Sequence, residues 1–310
     1  MANPIITAWT AISPYGLGAE HFTDGLRTGR PARAVPGFDI EEALGRKGTF
    51  GMDRASALAV GTVGRLLDRC PPDTAVVLGT TSGSTQTQLE FARATWTRRK
   101  PYFVEPALMP FGLMNSPAAQ CGLWHGLTGA NTTIADGPVS GLTGLVYATR
   151  LLRAGRAQAV ICGGVEELTP ARAWLTGNPN LGEGCAALLI EPPATEKPAL
   201  AEILRVDSRI CLDGDLKGAV KTSLRELLAD HDPTEVVAAA PHGEPDQAAV
   251  DELLGGAIIR PTKDLIGDTG GAASAFQLCA LLAPQDRPGL AVVTATGPDG
   301  KVATALLRLH

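Results

Sequence analysis

Aromatic residues are scarce in this 310-residue chain: Phe, Trp and Tyr together make up 5% of it. No basic stripe with interleaved aromatics is present, which removes the usual footprint of a nucleic-acid groove. Charge points the same way. With 27 Lys and Arg against 32 Asp and Glu the net charge is -5, the wrong sign for a phosphate backbone or an anionic membrane surface. No apolar run reaches the roughly 18 residues of a membrane span. The opening MANPIITAWT starts directly on a strand and lacks the charged, apolar, small-residue order of a secretory signal, so the expected location is cytoplasmic. The six cysteines (Cys70, Cys121, Cys162, Cys185, Cys211 and Cys279) show no metal-ligand spacing and fall mostly in apolar runs. In a reducing compartment they read as buried thiols that behave as small hydrophobes, and neither a metal nor a cofactor is expected.

What is abundant is small and apolar. Hydrophobic residues make up 45% of the chain and Gly alone counts 36, a composition suited to a large core with helices packed closely on sheet. Strands are predicted near 4–9, 74–80, 131–136, 158–164, 184–191, 198–207, 235–240, 289–295 and 302–309. Helices are predicted near 19–28, 53–69, 84–98, 115–125, 139–154, 215–230, 246–256 and 270–283. Runs such as AVVLGT and QAVICGG do not alternate, which points to strands covered by helices on both faces. The clearest linker, EPPATEKP at Glu191 to Pro198, divides the chain into segments 1–191 and 198–310 with similar grammar.

The most informative stretch is Asn131 to Leu145, NTTIADGPVSGLTGL. An apolar run ends in Asp136-Gly137, a small-residue corner follows, and apolar positions 139, 142, 145, 146 and 152 then recur at helical spacing. Such a corner aims a helix N-terminus at whatever lies above it. In many acyl-transferring enzymes a Cys or Ser stands there, activated by free N–H groups and the helix dipole. Here the corner residue is Pro138.

At this point the sequence resembles the ketosynthase family, the condensing enzymes of fatty-acid and polyketide synthesis. Ile5 to Gly16, IITAWTAISPYG, is similar to the family's opening strand and Ser-Pro-x-Gly loop, and Met52-Asp53-Arg54 to its Met-Asp-Arg. Met109 to Gly129 resembles the segment leading into the nucleophile strand. CGGVEE at Cys162 to Glu167 and GEGCAALLIE at Gly182 to Glu191 resemble the strands that close the first half. The resemblance implies an α/β thiolase-like fold, with duplicated βαβαβαββ units in a five-layered αβαβα sandwich.

Carried over position by position, the family's nucleophilic Cys falls on Pro138. Its first catalytic His falls on His242 of APHGEP, and its second on Asp268 of TKDLIGDTGGAASA, with Lys263 retained. The C-terminal Gly-Phe-Gly-Gly-Thr-Asn loop falls on GPDGKV at Gly297 to Val302. The resemblance further implies that the thioester oxyanion would be held by the N–H groups of the nucleophile and of the second residue of that loop. Pro138 and Pro298 occupy these positions, and proline has no N–H. Loss of one such donor commonly costs about a hundredfold in rate. No catalytic residue is therefore expected at these degenerate positions.

Each of these residues also has a plain structural role. Proline suits a first helical position, whose N–H lacks an intrahelical partner anyway, and Gly297-Pro298-Asp299-Gly300 between apolar strands is an ordinary turn. His242 fits a structural histidine as well as a catalytic one. Asp268 is expected to pair with Lys263 or to cap the helix beginning near Gly270.

A ketosynthase-like chain without its Cys resembles the chain length factor, the beta subunit of type II polyketide synthases. That resemblance implies a heterodimer with a catalytic ketosynthase alpha subunit, a tunnel for the growing chain at their interface, and an acyl carrier protein served by the complex. Gly83 to Trp96, GSTQTQLEFARATW, is similar to the segment whose i, i+3, i+7 residues gate that tunnel, here Thr85, Gln88 and Ala92 on one helix face. With the outer two small, the tunnel should be longer or wider. If this face packed on the chain's own core instead, Leu89 and Phe91 would be the core residues. Two other functions remain open: a thiolase-fold acyltransferase using Ser140 with His242 as base, and a homodimeric pseudoenzyme that binds an acyl chain or a carrier protein.

Overall fold

Neighbouring residues in the predicted strands are buried on opposite faces, and this explains why their sequences do not alternate. Val76, Leu78 and Ile161 enter one hydrophobic cluster, while Val77, Val160 and Cys162 enter another. The computed structural model describes residues 3–254, 258–283 and 287–310. Its first half runs β1 (Ile5–Ser13), β2 (Gly16–Leu17), α1 (Ala19–Thr28), α2 (Ile40–Leu44), α3 (Arg54–Gly64), β3 (Ala75–Gly79), α4 (Thr85–Thr97), α5 (Ser116–His125), β4 (Asn131–Ile134), α6 (Ser140–Arg153), β5 (Val160–Glu166), α7 (Pro170–Thr176) and β6 (Gly184–Glu191). The second half adds β7 (Ala201–Ile210), α8 (Leu216–Leu227), β8 (Val236–Pro241), α9 (Glu244–Leu254), α10 (Thr262–Ile266), α11 (Ala273–Leu282), β9 (Gly289–Thr296) and β10 (Lys301–Leu309). The helix expected at 246–256 starts two residues earlier, and its last two predicted residues lie outside the described ones.

Strand order is β4-β3-β5-β6-β1-β7-β10-β9-β8, with β2 paired to β1. The order is nearly palindromic. β3 runs parallel to β4 and β5, β6 closes that half antiparallel, and β8, β9 and β10 repeat the pattern. Among the described residues of the second half, the counterpart of β4 shows one parallel bridge, between Ala239 and Ile258. The halves join through two rungs of β1 and β7, Ile5 with Glu202 and Ile6 with Ala201.

Five layers follow from the packing. Helices α3 and α5 cover the outer face of the first half, and α8 and α9 cover the outer face of the second. Between them α6 and α11 pack on each other and on strands of both halves. The central cluster includes Leu142, Leu145, Phe276 and Leu278 from the two middle helices. Burying each such side chain is worth about 1.5–3 kcal/mol. Glycine permits the close approach of these helices: a Cβ at Gly141 would stand 2.7 Å from the Ala275 nitrogen. This is the thiolase-like α/β architecture expected from the sequence.

Several local expectations change. Leu89 is 39% exposed and Phe91 half-buried, so neither forms core, and Thr85 is the buried residue of α4. Cys70 and Cys211 are only half-buried, whereas the other four thiols are enclosed. Burial pushes Cys162 and Cys185 up to about 12, which leaves them protonated and inert. No described helix is long and apolar enough to cross a membrane.

Candidate functional site at the strand-to-helix corner

The corner is built as its sequence dictates. Strand β4 ends at Ile134, Gly137 takes a left-handed φ of 57°, and a 3-10 turn over Gly137–Val139 leads into α6. Pro138 sits in that turn, half-buried, at a position where a missing N–H costs the helix nothing. Ser140 closes the turn: its fully buried hydroxyl donates to the Gly137 carbonyl at 2.7 Å and accepts from the Asp136 N–H at 2.8 Å. A hydroxyl committed in this way is not positioned as a nucleophile, and no hydrogen bond joins it to His242 among the described residues.

Two other segments drawn from the sequence, the turn with Pro298 and the turn ahead of α11, lie beside this corner. The turn Gly297–Gly300, containing Pro298, closes through the Gly300 N–H on the Gly297 carbonyl at 3.2 Å. It is tied to the corner by Lys301, whose ammonium lies 2.6 Å from the Asp136 carboxylate and 3.2 Å from that of Asp299. A second 3-10 turn, Gly270–Ala272 ahead of α11, packs directly beside Gly137–Val139.

His242 follows β8 and lies close enough to Lys263 and Asp268 for both charges to act on its ring. Burial, followed by the Lys263 charge, lowers its pKa to about 4, with Asp268 opposing. The imidazole is therefore neutral at physiological pH, and its buried Nδ1 has no hydrogen-bond partner among the described residues. Lys263 lies close by, since a Cβ at Gly243 would come within 3.2 Å of its Nζ. Of the two roles expected for Asp268, the structure has the cap and not the pairing with Lys263. Its Oδ1 accepts the Gly270 N–H at 2.8 Å, its Oδ2 accepts from Asn178 at 2.9 Å, and no salt bridge to Lys263 occurs among the described residues. Asp246, pushed up by burial, accepts a hydrogen bond from Thr296 at 2.7 Å.

The gate positions behave differently from one another. Thr85 is buried with its hydroxyl 2.7 Å from that of Ser82; Gln88 donates to the Ser82 carbonyl at 2.7 Å; Ala92 is exposed. They share a helix face, but in this chain alone they line no described cleft. An open cleft of about 1180 Å³ runs past Trp9, Arg65 and Arg260 and contains none of the family positions. No group of three or more His, Cys, Asp or Glu side chains suited to a metal occurs among the described residues.

A network of buried carboxylates behind the corner escaped the sequence reading, although its residues belong to motifs quoted there. Glu183 takes both arms of Arg54 at 2.7 Å and accepts the N–H groups of Val35 and Leu168. Glu166 accepts from the N–H groups of Thr81 and Gly271 and pairs with Arg172 at 3.3 Å. Glu167 accepts from the Gln86 N–H at 3.1 Å and from Ser84 at 3.3 Å, both at the start of α4. The acidic pair Glu166-Glu167, closing an otherwise apolar strand, was the available signal.

Comparison with known proteins agrees with this fold. The model for the beta-ketoacyl synthase N-terminal domain matches residues 52–178. The chain is 25% identical over 177 residues to 3-oxoacyl-[acyl-carrier-protein] synthase 2 of Vibrio cholerae serotype O1, covering 54% of this chain and 43% of the relative. It is 29% identical over 193 residues to the tetracenomycin polyketide synthase ketoacyl synthase alpha subunit of Streptomyces glaucescens, covering 52% and 45%. The chain thus spans less than half the length of these curated relatives. A solved chain of the ishigamide ketosynthase/chain length factor matches end to end, with 38% identity, 99% coverage of both chains and a TM-score of 0.89. A beta-ketoacyl synthase from Burkholderia phymatum shares the fold at a TM-score of 0.85, with 18% identity and full coverage of both chains. The fold and the corner define a condensing-enzyme scaffold. The chain belongs to the beta-ketoacyl synthase family.

Proposed function

We propose that this chain is a noncatalytic chain length factor, which pairs with a Cys-bearing ketosynthase and shapes the tunnel for a growing polyketide or polyene. The observation that carries the reading is Pro138 at the strand-to-helix corner, with Pro298 in the facing loop: no thiol stands there, and two N–H donors for an oxyanion are missing. The end-to-end match to a ketosynthase/chain length factor chain supports it.

A partner is supported by what the chain leaves uncovered. Trp96 is 89% exposed on α4, and Tyr102, Phe103, Met109, Leu113 and Met114 follow it on the surface. Large exposed apolar groups in one run mark a contact surface. Strand β4 ends the sheet with an unpaired edge, a second feature that another chain can cover. The acyl carrier protein would be served by the complex, and the growing chain would pass Thr85, Gln88 and Ala92. The Ser140 acyltransferase reading loses its nucleophile to the local cap.

The test is reconstitution with a ketosynthase, a carrier protein and an extender thioester. Condensation is expected only when the ketosynthase is present, and Thr85→Phe or Ala92→Phe should shorten the product. An unchanged product mass in both variants removes the gate assignment. A stable homodimer that ignores co-expressed ketosynthase would favour the pseudoenzyme reading instead.

A further inference from the structure

Four carboxylates, Asp53, Glu166, Glu167 and Glu183, are buried together behind the corner, with two guanidinium groups among them. Arg54 is bound to Glu183 and Arg172 to Glu166. Arg172 also reaches residue 167, but through its backbone carbonyl at 2.9 Å. Asp53 has its own task, accepting the Ser56 N–H at the start of α3. Among the described residues, Glu167 therefore has no counter-ion of its own. What its carboxyl does hold is the first turn of α4, through the Gln86 N–H and the Ser84 hydroxyl, together with Thr169 ahead of α7 at 3.1 Å. The same turn is tied to α7 by the Ala171 N–H on the Gln86 side chain at 3.1 Å. Beyond this turn, α4 packs on the 3-10 segment Pro106–Gly112 and on α7, with Thr85 its buried residue.

We propose that Glu167 is a positioning residue for α4, keeping its first turn docked while the carboxyl is protonated and loosening it when the carboxyl ionises. For its consequence on product length this rests on the gate reading above; the docking itself does not.

The charged groups facing Glu167 are Asp53 and Arg54 from α3, Glu166 from β5 and Arg172 from α7. Burial first, with Asp53 and Glu166 adding to it, raises Glu167 to about 7 from its ordinary value, against the pull of the Gln86 N–H and Thr169. The docked helix therefore binds this proton more tightly than an open state in which water reaches the carboxyl. By linkage, docking is strongest below the ordinary carboxylate range and is lost progressively as pH rises through about 7.

The test is amide hydrogen exchange of residues 86–92 in the full chain from about pH 5 to about pH 8, corrected for intrinsic rates, where the opening constant should rise about tenfold or more. Glu167→Gln keeps an acceptor without the charge, and is expected to stay protected and flat with pH. Asp53→Asn, which leaves Glu167 in place, should retain a pH slope. A flat wild-type profile, or the same slope in Glu167→Gln, overturns the proposal. In the reconstituted complex, product length should drift with pH for the wild type and not for Glu167→Gln. If exchange responds to pH and product length does not, the positioning role stands and the gate reading falls.

Discussion

Two buried helices meet in the middle layer, and their starts are built alike but used differently. Both α6 and α11 follow a 3-10 turn that opens on a left-handed glycine, Gly137 at 57° and Gly270 at 44°. At α11 the turn's amides are all engaged: Gly270 N–H on Asp268, Gly271 N–H on Glu166 and Thr81, and Ala272 N–H on the Thr269 carbonyl. At α6 the sequence removes one amide with Pro138 and seals the rest of the turn with Ser140. One start is a structural knot; the other is the place where a condensing enzyme would present its nucleophile. The difference teaches that two turns of similar build can part at a single amide: one bonds its N–H groups to buried acceptors, and the other gives one up to proline.

The comparison can be broken at the knot first. Arg172→Ala strands the buried Glu166 carboxylate and should destabilise the chain by about 3–5 kcal/mol, read as a drop in the denaturant midpoint. A loss under about 1 kcal/mol would mean that the pair is not holding the α11 start. Next, Gly271→Ala places a Cβ 2.4 Å from the Thr80 carbonyl carbon, whereas a Cβ at Gly137 meets nothing within 4 Å. The first should cost about 3 kcal/mol and the second only the left-handed penalty of about 1–2 kcal/mol. Equal costs would show that the two turns are equally crowded.

At the corner itself, smaller effects are expected. Pro138→Cys restores a thiol but leaves Pro298 without an N–H and Asp268 without an imidazole, so condensation by the chain alone should stay within about tenfold of background. Robust turnover by that variant would mean that only the nucleophile was lost. His242→Ala should change the rate of the reconstituted complex by less than about twofold, against the factor of about a hundred or more expected of a general acid or base. Its other consequence concerns pH. Because the folded value is lowered to about 4 from an ordinary 6.5, the unfolded chain takes up the proton first, and stability falls on acidification across that window. His242→Ala should remove that contribution, as followed by thermal melts at two pH values.

Much of this architecture was legible from sequence because its long elements bury two faces or one clear stripe. Positions 139, 142, 145 and 152 of the corner helix are buried as their spacing implied, with 146 only partly so. The short helices α2, α7 and α10 span five to seven residues, less than two turns, and so give no period to read. Their caps were the available cue, as where Thr169 accepts from Arg172 ahead of Pro170. The alternative with Leu89 and Phe91 in the core could not be decided from spacing, because helical spacing identifies an apolar face but not whether the chain itself or a partner covers it; Leu89 is exposed and Phe91 half-buried. The carboxylate network was hidden because its members come from five separate segments, which no local pattern joins. The corner was readable because proline announces its missing donor in any context.

The most direct measurement of the central claim is intact-mass spectrometry of the purified chain and of its complex with a ketosynthase, each incubated with an acyl thioester. The account predicts an acyl adduct on the ketosynthase and none on this chain in either sample. A covalent acyl group on this chain, lost on Ser140→Ala or on substitution of any cysteine, would contradict it.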